Sequence, residues 1–214
     1  MRQNHTVMKT EVNPKDTTRA EAFELWMSSP MPMVTLTKTF DVSRLCRYAK
    51  IHGVKFNMLL CWCIGKAASQ VPEFMLLPVE DKMYRFDELA IGPVVNNCKG
   101  GINYCDIPYN ENLQAFNTSY EEITSKAARL CENLCLDDRM MVIGTSAMIQ
   151  TELDSIVNQY AKGFNNPMVM WGKYRKGFFK VTLPISFQFH HVQMDGGQAA
   201  LFLEKLQQEI LEVR

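Results

Sequence analysis

The fold is decided by the stretch Val181-Thr182-Leu183-Pro184-Ile185-Ser186-Phe187-Gln188-Phe189-His190-His191-Val192-Gln193-Met194-Asp195-Gly196-Gly197. In its first half Val181, Leu183, Ile185, Phe187 and Phe189 alternate with Thr182, Pro184, Ser186, Gln188 and His190. Successive side chains of a strand point to opposite faces, so this is a strand with one face turned to a core. Pro184 donates no backbone hydrogen bond, which points to an edge or a locally bent position. After the strand, Asp195-Gly196-Gly197 can turn the chain sharply into a helix with Asp195 as its N-cap. Ala199, Leu203, Leu206, Ile210 and Val213 then recur at spacings of four and three, the pattern of an amphipathic helix packed on the sheet.

Continuing the alternation puts His191 on the apolar face with Phe187 and Phe189, and His190 on the polar face. Burial disfavours the imidazolium, so the pKa of His191 is expected to move down. A neutral imidazole is what a general base needs. The plainer alternative is a core histidine satisfied by hydrogen bonds. Asp195 either caps the last helix or holds a distant arginine in a buried pair that aims the histidine. Both roles are architectural.

Working outward, residues 168–174 read as a strand joined to this one through Arg175-Lys176-Gly177. Residues 140–149 and 102–107 read as strands, and 83–95 as a hairpin turning at Asp87-Glu88. Residues 33–42, rich in β-branched threonine and valine, suit a further strand. Helices are expected at 19–27, at 43–52 with Ser43 as N-cap and Gly53 as stop, at 55–70 and at 113–134. The second of the longer two is apolar on one stripe, whereas 55–70 is apolar nearly all round at its start and belongs in the centre. Strands and helices interleave without a strict βαβ period, which gives an α+β fold, a two-layer mixed-sheet sandwich with helices. Residues 1–16 are read as an N-terminal arm and 17–214 as a single domain.

Lys+Arg and Asp+Glu both number 23, so nothing electrostatic favours nucleic acid or an anionic membrane as partner. The N-terminus lacks the apolar core of a secretory signal, and no apolar run is long enough to span a bilayer. Seven cysteines without a small-scaffold pattern suggest reduced thiols and a cytoplasmic protein. Cys61-Trp62-Cys63 lies in an apolar run without a second ligand pair, so buried small hydrophobes are expected there and no metal.

His-x-x-x-Asp-Gly, here His191 to Gly196, resembles the signature of CoA-dependent acyltransferases. With His190 before it, and with Gly172-Lys173-Tyr174 and Leu183-Pro184-Ile185-Ser186-Phe187-Gln188 leading in, the stretch is similar to the chloramphenicol acetyltransferase family. Arg19-Ala20-Glu21-Ala22-Phe23-Glu24-Leu25-Trp26, Lys55-Phe56 and Val71-Pro72-Glu73-Phe74 carry the likeness back to about Thr17. The resemblance implies a homotrimer with active sites between subunits and acetyl-CoA as co-substrate. His191 would take the proton of an acceptor hydroxyl, its ring oriented by a bond from Nδ1–H to its own carbonyl. Asp195 would pair with Arg19. Lys55, Lys173 and Tyr174 would lie near the CoA nucleotide.

The departures from the family pattern concern the acceptor and the oxyanion. Trp26 stands for a pocket tyrosine, Val34 and Ile102 for phenylalanines, and Met170 for a threonine. Lost aromatic area weakens the case for chloramphenicol itself. The oxyanion hydroxyl would come from Thr145 or Ser146. Three readings follow: an acetyltransferase acting on chloramphenicol or another small hydroxylated acceptor, a related acyltransferase with a different acceptor, and a non-catalytic trimeric binding protein. The acyltransferase core of 2-oxoacid dehydrogenase complexes shares the signature, but these residues include no lipoyl domain or swinging linker.

Overall fold

A computed structural model describes residues 9–136, 139–161 and 163–214. In chain order the elements are β1 (Thr10–Val12), α1 (Ala20–Trp26), β2 (Met33–Asp41), α2 (Ser43–His52), α3 (Phe56–Ala68), β3 (Leu76–Val79), β4 (Lys82–Arg85) and β5 (Leu89–Asn96). They continue with β6 (Ile102–Tyr104), β7 (Ile107–Pro108), α4 (Leu113–Leu130), β8 (Met141–Met148), β9 (Met168–Gly172), β10 (Arg175–Lys176), β11 (Val181–His190) and α5 (Gly196–Glu212). The class is α+β, as the alternation and interleaving imply.

One sheet runs β2–β11–β9–β8–β5–β6, with β10 extending β11 and β7 added to β5. Its β5–β8 and β8–β9 pairs are parallel, so the sheet is mixed. A second, three-stranded sheet has the order β1–β4–β3. The apolar side of the large sheet is covered by α3 and α5. Met58 to Ile64 of α3 are buried without a polar stripe, because the helix is enclosed by the sheet and by neighbouring helices. All five stripe residues are buried, as the spacing predicts, four within α5 and Val213 at its C-cap.

Several sequence expectations are corrected. β11 is buried on both faces from Leu183 to His190, and it lies between β2 and β9. Its polar residues are covered by the segment before β9: Ser186 Oγ accepts from the Ile156 N–H at 2.8 Å, and Gln188 Nε2 donates to the Asn158 carbonyl at 2.9 Å. Polar residues on the second face therefore mark satisfied burial, not solvent. Pro184 is in an interior strand, and it fits because it falls between the β10 pairing at Val181–Thr182 and the β9 pairing at Ile185–Gln188, where no ladder needs its N–H.

The hairpin expected at 83–95 is displaced by one strand. β4 pairs with β3 across Glu80–Asp81, whereas β5 belongs to the large sheet. Glu80 adopts a left-handed φ of 54°, a conformation that usually selects glycine or asparagine, so the glutamate masks a turn that only Asp81 beside it marks. Of the expected arm, residues 10–12 form β1 on β4, and residues 1–8 lie outside the described part. Ser43 is the first residue of α2 and not its cap: its Oγ donates to Asp41 Oδ1 at 2.6 Å and accepts from the Val181 N–H at 2.8 Å. Gly53 does stop α2, with φ 66°. α4 ends at Leu130, short of the expected 134, because Leu134 bridges to Cys105.

Candidate active site

The turn after β11 is built around Arg19, which is 2% exposed and caps the start of α1. Its Nη1 and Nη2 form a fork on Asp195 Oδ2 and Oδ1 at 2.6 and 2.8 Å. The same guanidinium donates to the carbonyls of Val192 through Nε and of His191 through Nη2, both at 2.9 Å. Four of its five donors thus fix one turn, a geometry that only the planar guanidinium supplies. Asp195 is the N-cap of α5, and its own N–H donates to Gln198 Oε1 at 3.0 Å. The Arg19 hydrogen bonds hold the Asp195 carboxyl below the usual carboxylate range, against a smaller opposing effect of burial.

The two histidines exchange the places expected of them. β11 stops at His190, so His191 leaves the strand's alternation and enters the turn. The deeply buried ring is His190, 1% exposed, whose pKa burial pushes down to about 4. Its Nδ1 accepts from the Val192 N–H at 3.1 Å, which puts the proton of the neutral ring on Nε2. His191 keeps 29% of its side-chain surface exposed. Its N–H donates to the Pro32 carbonyl at 2.8 Å, continuing the β2 pairing by one residue.

The His191 ring stacks on Trp26, centroids 4.6 Å apart and planes within 8°. Its Nδ1 is buried and 3.2 Å from Asp195 Oδ1, without the alignment of a hydrogen bond. The bond from Nδ1–H to its own carbonyl, implied by the resemblance, is not formed, since that nitrogen has no hydrogen-bond partner and the carbonyl accepts from Arg19. Because Nδ1 is covered, the accessible part of the ring lies away from it. Sequence reasoning placed Trp26 in a pocket and missed this stacking. A signal existed: Arg19 and Trp26 are seven residues apart, two helical turns, with Phe23 and Met27 between and beside them packing on Val192, Leu76 and Met83.

The remaining site residues fall in other places. Lys55 is exposed before α3 and pairs with Glu121 at 2.6 Å. Phe56 beside it packs against Tyr174 at 5.4 Å between centroids, with Lys173 exposed next to that tyrosine. Lys55, Lys173 and Tyr174 therefore form one cluster. It stands level with the start of β11, about eight residues from His191, roughly 25 Å at the rise of a strand. Thr145 is 2% exposed, with its Oγ1 3.7 Å from Cys61 Sγ on α3. Ser146 points to the opposite face and shares a row with Met170 and Ser186. Val34 lies opposite Phe189 on β2, and Ile102, 57% exposed, is on β6 at the far end of the sheet. Five strand spacings separate them, roughly 24 Å, so one chain does not gather the expected acceptor wall.

Among the described residues no group of three or more His, Cys, Asp or Glu side chains is placed to hold a metal ion, and no helix is long and apolar enough to cross a membrane. The family model for chloramphenicol acetyltransferase matches residues 8–207. The chain belongs to the chloramphenicol acetyltransferase family. It is 23% identical over 209 residues to chloramphenicol acetyltransferase 2 of Escherichia coli, covering 92% of this chain and 95% of that one. Its identity to a chloramphenicol acetyltransferase of Bacillus pumilus is 23% over 193 residues, covering 88% and 87%. A solved chloramphenicol acetyltransferase superposes with a TM-score of 0.81 at 20% identity, over 95% of this chain and all of that one. The dihydrolipoamide acetyltransferase of Azotobacter vinelandii shares the fold at a TM-score of 0.66 and 19% identity, over 91% and 87%. Family membership places the protein among the acyltransferases, with acetyl transfer as the class of reaction.

Proposed function

We propose that residues 17–214, with β1 packed on them, form an acetyl-CoA-dependent O-acetyltransferase in which His191 is the general base. The observation that carries this reading is the held but accessible His191 ring, stacked on Trp26, with Nδ1 covered beside Asp195 and the rest of its edge reachable. In its neutral form the imidazole takes the proton of the acceptor hydroxyl as that oxygen attacks the thioester carbonyl. The tetrahedral intermediate then expels the CoA sulfur, which leaves as the thiol with the proton returned from His191. Asp195 stays ionised beside Nδ1 and favours the imidazolium while it exists, although its main partner is Arg19. Lys55, Lys173 and Tyr174 supply two cations and an aromatic ring for the CoA nucleotide. Ser146 is the better candidate for the oxyanion hydroxyl, because Thr145 is turned toward α3.

The spread of Val34, Met170 and Ile102 across the sheet supports a homotrimer in which neighbouring chains complete each acceptor pocket. It also favours a second reading, an acyltransferase whose acceptor is not chloramphenicol, since Val34, Ile102 and Met170 offer no ring to stack on an aromatic drug. Thiol release from acetyl-CoA, measured with chloramphenicol and with a panel of small alcohols, separates the two. Release with chloramphenicol supports the first; release only with other alcohols supports the second. His191→Ala is expected to cut turnover by about 10²–10⁴-fold. Turnover unchanged in that variant would refute the assignment of the base, and no release with any acceptor would favour a non-catalytic binding protein.

A further inference from the structure

The turn joining β5 to β6 is a rigid carrier for Cys98. Asn97 Oδ1 accepts from the N–H groups of Lys99 and Gly101 at 3.0 and 2.9 Å, and Gly100 takes the left-handed φ of 82° that closes the turn. This turn rests on the last turn of α4, where the Cys98 N–H donates to the Ala128 carbonyl at 3.1 Å. Cys131 is the C-cap of α4; its N–H donates to the Ala127 carbonyl at 3.0 Å and its φ is 57°. Glycine is the ordinary residue at such a helix end, since a side chain there strains the backbone. The cysteine in its place brings its Sγ within 3.3 Å of Cys98 Sγ.

Both sulfurs can be reached, for Cys98 is exposed and Cys131 half-buried. Cys61, Cys63 and Cys105 are buried, and burial raises all three thiols, Cys61 and Cys105 to about 12. They stay protonated and inert. Cys131 raises the Cys98 thiol, chiefly through the hydrogen bond between the two, as expected where two thiolates would adjoin.

We propose that Cys98 and Cys131 form a reversible thiol–disulfide pair, a modification site for low-molecular-weight disulfides of the glutathione type. One cysteine thiolate attacks a sulfur of the small disulfide, breaking its S–S bond and releasing one small thiol. The second cysteine then attacks the protein sulfur of that mixed disulfide, forming the Cys98–Cys131 bond and releasing a second small thiol. The two cysteine sulfurs lose two electrons, the small disulfide gains them, and the cysteine protons end on the two released thiols. Moving the sulfurs closer by about 1.2 Å reaches disulfide bonding distance, a change within the range of side-chain rotation. The bond ties the end of α4 to the β5–β6 turn and closes a loop that the unfolded chain would otherwise leave free. It does not depend on the acyltransferase reading.

The full chain, equilibrated at pH 8 in mixtures of reduced and oxidised glutathione, is acid-quenched, digested and mapped by mass. The expected product is one cross-linked peptide pair containing residues 98 and 131, 2 Da lighter than the dithiol (the mass of about two hydrogens), reverting on addition of dithiothreitol. The oxidised protein is expected to melt about 5 °C higher than the reduced. Cys98→Ser is expected to melt with the reduced protein and to show no gain on oxidation. Two free thiols, two separate glutathione adducts, a bridge involving Cys135, or a melting gain that survives in Cys98→Ser would each overturn the proposal.

Discussion

His190 and His191 are adjacent, yet one imidazole is sealed in the sheet and the other faces outward. The difference arises because β11 ends between them, which frees His191 from the alternation that His190 still obeys. His190 carries a prediction about acid stability. Its native pKa of about 4 lies below the ordinary 6.5, so the unfolded chain binds a proton first as pH falls. Stability from this residue is complete above pH 6.5 and is lost between 6.5 and 4, by up to about 3 kcal/mol. Asp195 acts lower down: its depressed carboxyl contributes above its ordinary value of 3.8 and loses that share as pH falls through the native value. Asp195 therefore acts below the window from 6.5 to 4 in which His190 loses its share. Denaturant unfolding across this window, compared between wild type and His190→Asn, measures it. The amide oxygen can still accept the Val192 N–H but cannot titrate, so the variant's profile is expected to be flatter; identical profiles would remove the explanation.

At the scale of elements, α1 is a clamp on the β11–α5 turn. The pairing of Arg19 with Asp195 is one the resemblance implied; the further bonds to the carbonyls of His191 and Val192 come from the folded geometry. Arg19→Ala leaves the His191 and Val192 carbonyls without this donor and removes both arms of the fork on the Asp195 carboxylate. Asp195 is 49% exposed, so solvent repays part of the carboxylate's loss. The expected cost is about 2–3 kcal/mol, at or below the low end for breaking a buried pair. Thermal melting of the variant should show a drop of roughly 4–10 °C, together with lower acetyl transfer. A melting curve that matches the wild type would mean the clamp carries no stability. The same scale contains the sequence's main error. A hairpin around Asp87-Glu88 fitted the local alternation, but those residues pass the chain from the small sheet to the large one, and the true hairpin turns at Glu80-Asp81, where a glutamate holds the left-handed position.

For the whole molecule, the separated clusters carry the argument. His191 and Trp26 gather at one end of β11, Lys55, Lys173 and Tyr174 at the other, and Ile102 stands on the edge farthest from Val34. Leu25, Met31 and Trp26 leave apolar surface exposed around His191, the surface that a neighbouring chain would cover. Under the proposed trimer, sedimentation equilibrium is expected to give about three times the chain mass of 24.6 kDa, with acetyl transfer lost under conditions that dissociate it. A monomer with full activity would refute an active site completed by neighbours.

Element type was readable along the chain, because alternation, caps and helical spacing are local properties of a few residues. The β11 strand, the α5 stripe, the Gly53 stop and the His-x-x-x-Asp-Gly turn all fall in this group. Burial on the second face of β11, the exchange of roles between His190 and His191, the ring of Trp26 on His191 and the meeting of Cys98 with Cys131 became visible only in three dimensions. Each depends on which distant segment comes to lie against a residue. Such long-range contacts leave no periodic mark in the chain, so the folded packing alone sets them.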